Sequence, residues 1–299
     1  MNAATLWRAV RTTAQNLRLP LFDGLSAYDV AVFFGKGIYE GSVTSRAASI
    51  SFSFFLALFP GVIFLFTLIP FIPVDGFQSE LFKLLRDVLP PNSFDAAYST
   101  ITDILTIKRG DLLSVTVIAA FFFATNGTLS LIGNFGQSIH RLNVRGFWSQ
   151  YLAAFLLTLA LSVLLISGIT ALTLSEVYLS EWIGGELGIW LAALSRWVVL
   201  LGLVLLSISL LFYFGPMRRA PWRFVSPGAL LATLLVWLTS YLFGIYVTDF
   251  SRYNQLYGSI GTLIIIQLWI YVNAIGLIIG FELNASMAEA KNHLNSRQT

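Results

Sequence analysis

The sequence has no cysteine and only two histidines, His140 and His293, among 299 residues. The first absence removes disulfides, thiolate metal sites and thiol nucleophiles, and it leaves the redox compartment open. The second removes a histidine-rich metal centre, so any divalent site would have to rest on carboxylates. Charge is scarce as well: 11% of the residues are Asp, Glu, Lys or Arg, against about 25% in an ordinary soluble domain. In their place stand 57% apolar residues, including 25 Phe, 11 Tyr and 8 Trp. A soluble monomer of this composition would expose apolar patches that soluble proteins avoid. A cytosolic enzyme is excluded, and the chain is built for lipid.

A spanning helix needs about 20 mostly apolar residues. Six such runs occur, at 47–73, 112–131, 151–174, 190–214, 229–247 and 259–283. The first 45 residues hold no uninterrupted apolar stretch followed by a small-residue cleavage pattern, so the first span is expected to be retained rather than removed as a signal peptide. Basic residues set the orientation. With the N-terminus in the cytoplasm, that side carries 12 of the 18 Lys and Arg, and the other side carries six. The positive-inside rule then gives both termini in the cytoplasm, which six spans satisfy. The expected architecture is an all-α, polytopic membrane bundle of six transmembrane helices. A cytoplasmic amphipathic segment covers 1–46, the span domain 47–283 and a cytoplasmic tail 284–299.

Two further amphipathic stretches are expected outside the spans. In residues 5–18, Leu6, Trp7, Val10, Ala14 and Leu17 lie opposite Arg8, Arg11, Gln15 and Arg18. That pattern fits a helix on the anionic cytoplasmic surface and equally a helix packed under the bundle. Nucleic-acid binding by these arginines is the poorer reading, since no recognition motif accompanies them. The extracytoplasmic loop 74–111 reads as two short amphipathic helices separated by Pro90-Pro91. They form either a lid or a hairpin packed on the span ends, the hairpin being the simpler reading.

Polar groups within the bilayer carry most of the functional information, because hydrocarbon offers them no partner. Three stripes stand out. Ser42, Arg46, Ser49, Ser53 and Pro60 share a narrow arc of the first span. Asn126, Ser130, Gly133 and Gln137 recur along the second and continue to Arg141, with Asn126-Gly127 marking either a local helix break or an ordinary helix contact. In the sixth span Thr262, Trp269, Asn273, Gly276, Gly280 and Asn284 share one face, while Gln267, Tyr271 and Glu282 occupy another. Gly276 and Gly280 form a GxxxG pattern, which usually means close packing. Packing explains any one stripe; their common extension toward the cytoplasmic end is what points to a shared polar cavity open to the cytoplasm. Arg196, near the outer end of the fourth span, reads as an interfacial anchor.

These residues resemble the YihY/BrkB family of bacterial inner-membrane proteins, once mislabelled ribonuclease BN. The resemblance runs from about residue 30 to 290. It rests on Arg46 leading into a Ser-rich span that reaches Phe59-Pro60, on Asn134 and then Arg145 before Phe147-Trp148, and on the stretch from Pro216 to Arg223 followed by Pro227-Gly228-Ala229. Its most specific part is the C-terminal block, where Tyr253, Asn254, Tyr257, Gly258, Ser259, Trp269, Tyr271, Gly280, Glu282 and Asn284 match the family pattern. One departure is the stretch Ile50-Ser51-Phe52-Ser53-Phe54-Phe55, where relatives more often carry an Ala-Tyr-Tyr-like sequence. The resemblance implies a six-span, multi-pass protein of the bacterial inner membrane, with links to envelope integrity, serum resistance and lipid export.

Hydrolysis of RNA with metal assistance needs clustered His and carboxylates around an open coordination position. The cytoplasmic carboxylates Asp23, Asp29, Glu40, Glu282 and Glu289 are scattered, and the chain is read as no nuclease, with no metal and no cofactor. No nucleophile–base pair, P-loop or dinucleotide fingerprint supports another enzyme. The leading expectation is a transporter, flippase or exporter of a lipid or other amphiphilic envelope molecule. Its substrate path would be lined by Arg46, Ser49, Ser53, Asn126, Ser130, Asn134, Gln137, Asn273, Glu282 and Asn284. Glu282 is the candidate proton or cation site if transport is coupled, the alternative being a carboxylate in contact with Arg46 or Arg141. The rival reading is a non-transporting scaffold for envelope assembly. Membrane lipids and an amphiphilic substrate are the expected partners, nucleic acid is not, and a homo-oligomer stays open. If the stripes line an aqueous cavity, single cysteines at Ser53, Asn126 and Asn273 will react with a small aqueous thiol reagent; unreactive probes at all three positions would mean that the stripes only pack helices.

Overall fold

The computed structural model describes residues 25–68, 110–138, 146–183, 185–215, 225–249 and 259–298. Among them the chain is α-helical: α1 (Ala27–Glu40), α2 (Val43–Leu68), α3 (Gly110–Gly136), α4 (Phe147–Ile183), α5 (Gly185–Phe214), α6 (Pro227–Asp249) and α7 (Ser259–Gln298). Six of these, α2 to α7, are long and apolar enough to cross a membrane. They coincide with the six runs read from sequence. The N-terminal stretch 5–18, nearly all of the loop 74–111, and Arg141, Arg145, Tyr253, Asn254, Tyr257 and Gly258 lie outside the described residues.

The helices are apolar nearly all round, as spans are. Leu152, Leu156, Leu159, Val163 and Ile166 of α4, Leu194, Val198 and Leu201 of α5, and Leu234, Leu238 and Leu242 of α6 are all exposed. In water such a surface would aggregate; in a bilayer it meets lipid chains.

Packing divides the chain into two units, one of Met1–Phe52 with Thr128–Thr299 and one of Ser53–Gly127. In the larger unit α7 packs along α6 and against α1, α4 pairs with α5, and α5 touches α6. Buried side chains concentrate at one end, where α2, α4 and α6 begin and α3, α5 and α7 finish. Phe135 stacks on Phe281 at 4.3 Å between centroids, and Phe212 meets both edge-on at 5.5 and 5.6 Å. Beside them Ile132, Ala153, Ala154 and Leu157 join α3 to α4. At the far end of α7, Met287 and Ala290 pack with Leu25 and Val30, which holds α1 against it.

In the smaller unit α3 runs without interruption through Asn126-Gly127. The alternative of a local break there is thus corrected to a helix contact: a Cβ at Gly127 would sit 3.6 Å from the ring of Phe54, an ordinary packing distance. Helix α2 likewise continues through Pro60.

Two boundary shifts bear on the site. Helix α2 starts at Val43, which places Arg46 in its first turn rather than ahead of it. Helix α7 passes 283 and continues to Gln298. At 40 residues it is about 60 Å long, twice the hydrocarbon thickness of about 30 Å, so the tail is the continuation of the sixth span.

The GxxxG face of α7 meets α6. A Cβ at Gly280 would overlap the Gly228 carbonyl oxygen and fall 2.6 Å from the Ala232 Cβ, and one at Gly276 would fall 3.2 Å from the Leu235 Cβ. The two backbones touch here, which only small residues permit. Gly280→Val should therefore destabilise the protein by at least about 1–3 kcal/mol through overpacking. Gly244→Ala, with nothing within 4 Å of the new methyl, should be neutral or gain about 0.4–1 kcal/mol. Thermal unfolding of the two purified variants beside the parent checks both.

Candidate functional site

The elbow between α1 and α2 sets the site. Helix α1 opens on Ser26, whose Oγ accepts the Tyr28 N–H at 3.2 Å, and closes at Gly41, whose N–H donates to the Gly37 carbonyl at 3.0 Å. Ser42 then adopts φ 48°, and α2 begins. Helical side chains lean toward the N-terminus of their helix, so Arg46 folds back onto this elbow. Its Nη1 donates to the Gly41 carbonyl at 3.2 Å and to Glu282 Oε1 at 2.5 Å, and its Nε donates to the Asn134 carbonyl at 2.8 Å. Arg46 is 3% exposed and Glu282 0%.

Each contact has a local reason. Asn134 lies in the last turn of α3, where backbone carbonyls run out of helical N–H donors and the helix end carries partial negative charge. A guanidinium satisfies both needs. Ser138, just past the end of α3, donates its hydroxyl to Glu282 Oε2 at 2.9 Å. Ser286 donates to the Glu282 backbone carbonyl at 2.6 Å, one turn further along α7. The Asn134 amide donates to the Ser130 carbonyl at 2.8 Å and to Ser49 Oγ at 3.3 Å, and Ser130 Oγ donates to the Ser49 carbonyl at 3.3 Å. One polar atom of this network, Arg46 Nη2, is buried without a hydrogen-bond partner.

Of the residues selected from sequence, the structure brings together Arg46, Ser49, Ser130, Asn134 and Glu282. These groups are bonded to one another at the aromatic end of the unit, with Arg46, Asn134 and Glu282 buried, Ser130 half-buried and Ser49 exposed. Ser53 and Asn126 belong to the other unit. Gln137 is exposed beyond the end of α3 and stays outside the network. Asn273 lies on the α6 side, where its amide donates to the Trp269 carbonyl at 2.8 Å and its oxygen accepts from Thr239 at 3.2 Å. Asn284 caps α6: its oxygen accepts the Gly228 N–H and its amide donates to Ser226 Oγ, both at 2.9 Å. Ser259 opens α7, Trp269 is exposed, Tyr271 is half-buried and Gly280 makes the backbone contact with α6.

Sequence reasoning missed Ser138, Gly41 and Ser286. Ser138 had a signal, since Ser130, Asn134 and Ser138 recur at four-residue intervals. The role of Gly41 is carried by a carbonyl and leaves no trace in side-chain patterns. The link from Ser51 to Gln267, whose amide donates to the hydroxyl at 3.2 Å, was also unforeseen.

Burying two charges is costly, and removing one partner leaves the other uncompensated. Arg46→Met and Glu282→Leu should each destabilise by about 3–5 kcal/mol, whereas the double replacement should cost less than either single one. A double-mutant cycle on thermal unfolding checks this, and additive losses would mean that the pair does not act as a unit.

The family model described as Virulence factor BrkB matches residues 36–299. The chain is 30% identical over 260 residues to a putative ribonuclease-like protein, YfkH, of Bacillus subtilis (strain 168), covering 85% of this chain and 92% of that protein. It is 26% identical over 266 residues to a UPF0761 membrane protein of Stenotrophomonas maltophilia (strain K279a), covering 86% of this chain but 61% of the longer relative. It is 25% identical over 263 residues to a UPF0761 membrane protein of Idiomarina loihiensis, with 86% and 90% covered. No solved structure matches.

Proposed function

The chain belongs to the virulence factor BrkB family, and on that premise we propose that it moves a lipid or other amphiphilic envelope molecule across the membrane, as a transporter, flippase or exporter. It is a multi-pass inner-membrane protein with six apolar helices long enough to span. On this reading both termini lie in the cytoplasm, as the distribution of Lys and Arg has it.

The observation that carries the reading is the Arg46–Glu282 pair, buried between the start of α2 and the C-terminal half of α7 and tied to α3 through Asn134 and Ser138. Ionisable groups inside a span are costly and mark substrate or ion paths more often than they serve stability. The network then acts as the cytoplasmic gate in its shut state, and the path opens when α2 and α3 part from α7. Apolar helices supply the surface along which acyl chains travel. The chain acts without chemistry of its own: the carboxylate of the network is engaged by Arg46 and Ser138, so it is not poised to activate a nucleophile.

The scaffold reading has one observation in its favour, that Asn134, Asn273 and Asn284 all spend their amides on bonds within the protein. Reconstitution separates the two. In proteoliposomes carrying a fluorescent phospholipid, transport predicts leaflet exchange faster than in protein-free vesicles. It also predicts a rise of about tenfold in Glu282→Gln, which loosens the shut gate by the scale of one charge-assisted hydrogen bond. The scaffold predicts the protein-free rate for both.

A further inference from the structure

The start of α2 combines two features that do not require each other. The first is the helix end itself. The Arg46 N–H donates to the Ser42 carbonyl at 3.1 Å, so the amides of Val43, Thr44 and Ser45 precede the first intrahelical bond and point out of the helix. This is the positive end of a 26-residue helix, with no acidic residue in its first turn to offset it. Ser42, Thr44 and Ser45 are exposed, so the approach is open.

The second feature is the guanidinium folded back onto that end. Arg46 is 97% buried by its exposure of 3%, and its Nη1 rests on the Gly41 carbonyl of the elbow. Its Nη2 has no hydrogen-bond partner, and leaving a buried donor unsatisfied is costly. Glu282 takes one prong of the fork through Oε1, while its Oε2 accepts from Ser138. A fully matched carboxylate would take both prongs. Three of the five guanidinium N–H groups are used, and those of Nη2 are left over on an arginine in the first turn of a helix whose end favours negative charge.

We propose that this elbow is an oxyanion site that takes the phosphate group of the transported molecule. The first-turn amides of α2 and Arg46 Nη2 bind it, and Glu282 is the resident counterion that competes for the same guanidinium. A phosphate matches both elements: its oxygens accept backbone N–H bonds at helix ends, and the guanidinium fork fits it with two parallel bonds. The first turn of a spanning helix lies at headgroup depth, where a phospholipid presents this group; free inorganic phosphate offers the same chemistry from solution. Competition by Glu282 keeps binding weak enough for release. The proposal deepens the transport reading and rests on it for its meaning, while binding is measured without transport.

The test is a titration of the full-length purified protein, followed by native mass spectrometry, with phosphatidic acid, phosphatidylcholine or inorganic phosphate alone. Phosphatidic acid should bind about tenfold more tightly than zwitterionic phosphatidylcholine, the equivalent of one charge-assisted hydrogen bond. Glu282→Gln, which removes the competing charge, should tighten it by a similar factor. Arg46→Lys, which keeps the charge and loses the second prong, should weaken it by as much. Ser45→Glu places a carboxylate at the exposed helix end without touching the core and should abolish it, so the outcome does not depend on Arg46→Lys folding. Inorganic phosphate binding with the same dependence on the variants would support the site and assign it to a soluble anion. Equal binding of phosphatidic acid by the parent and Ser45→Glu, or no binding of either probe by the parent, overturns the proposal. Leaflet exchange that persists in that case leaves the transport reading standing. Site-dependent binding without leaflet exchange removes transport and keeps the site.

Discussion

A buried ion pair organises the packed end of this protein. Arg46 and Glu282 are 236 positions apart in sequence, and neither charge could be buried without the other. Meeting both demands fixes the surroundings. The guanidinium needs acceptors, which come from the elbow carbonyl of Gly41 and the last turn of α3 at Asn134. The carboxylate needs donors, and Ser138 supplies one just beyond that helix. Because α3 ends there, the partial negative charge of its last carbonyls already favours a cation. The pair therefore stands where a helix terminus lowers its cost, and the ends of α2, α3 and α7 are brought into register.

Apolar packing follows the same geography. Phe281, the residue before Glu282, stacks on Phe135, the residue after Asn134, so each arm of the polar network has an aromatic neighbour that excludes water from it. Water exclusion strengthens the pair, since its attraction grows as the local dielectric falls. One turn along α7, Gly280 brings the α6 backbone into contact, and Asn284 then reaches the α6 N-terminus to satisfy its Gly228 amide. Beyond this layer burial thins. Among the described residues of α6 after Thr233, and of α7 from Leu263 to Asn273, no side chain is fully buried. Those stretches are left to lipid.

The six helices were legible because hydrocarbon imposes one rule, a long apolar run, that needs no knowledge of neighbours. Contact between the stripes was partly legible. Spacing put Arg46 with Ser49 on one arc and Ser130 on another, the family resemblance singled out Asn134, and a charge at each of two span ends invited pairing. Periodicity could not say which arcs would meet. Asn273 and Asn284 share a face with the glycines and therefore went with them to α6. Gln137 fell outside because α3 stops at Gly136, and the helical repeat passes instead to Ser138, beyond the stop. Gly41 was invisible for a different reason: its part is played by a backbone carbonyl, and its own close approach to Gly37 is a property of the turn and not of a motif.

How such a bundle could move is constrained by the same contacts. Helices α6 and α7 are joined by backbone contact at Gly228 and Gly280 and by the Asn284 cap, contacts with no slack, so on the transport reading they move as one body. The start of α2 and the end of α3 are likewise joined, through Ser49, Ser130 and Asn134. Between these two bodies run the Arg46–Glu282 pair, the Ser138 bond, the Ser51–Gln267 bond and one aromatic stack. Polar bonds of this kind can be exchanged for bonds to a ligand or to water, whereas a glycine-to-glycine backbone contact cannot. On the transport reading, the rearrangement opens along the line of the ion pair, at a free-energy cost in the few-kcal/mol range that keeps a minor state populated. A hydrophobic replacement of the pair would hold the same helices together and would give a ligand nothing to exchange with. The charges at this seam thus cost stability in return for a contact that a polar molecule can compete for.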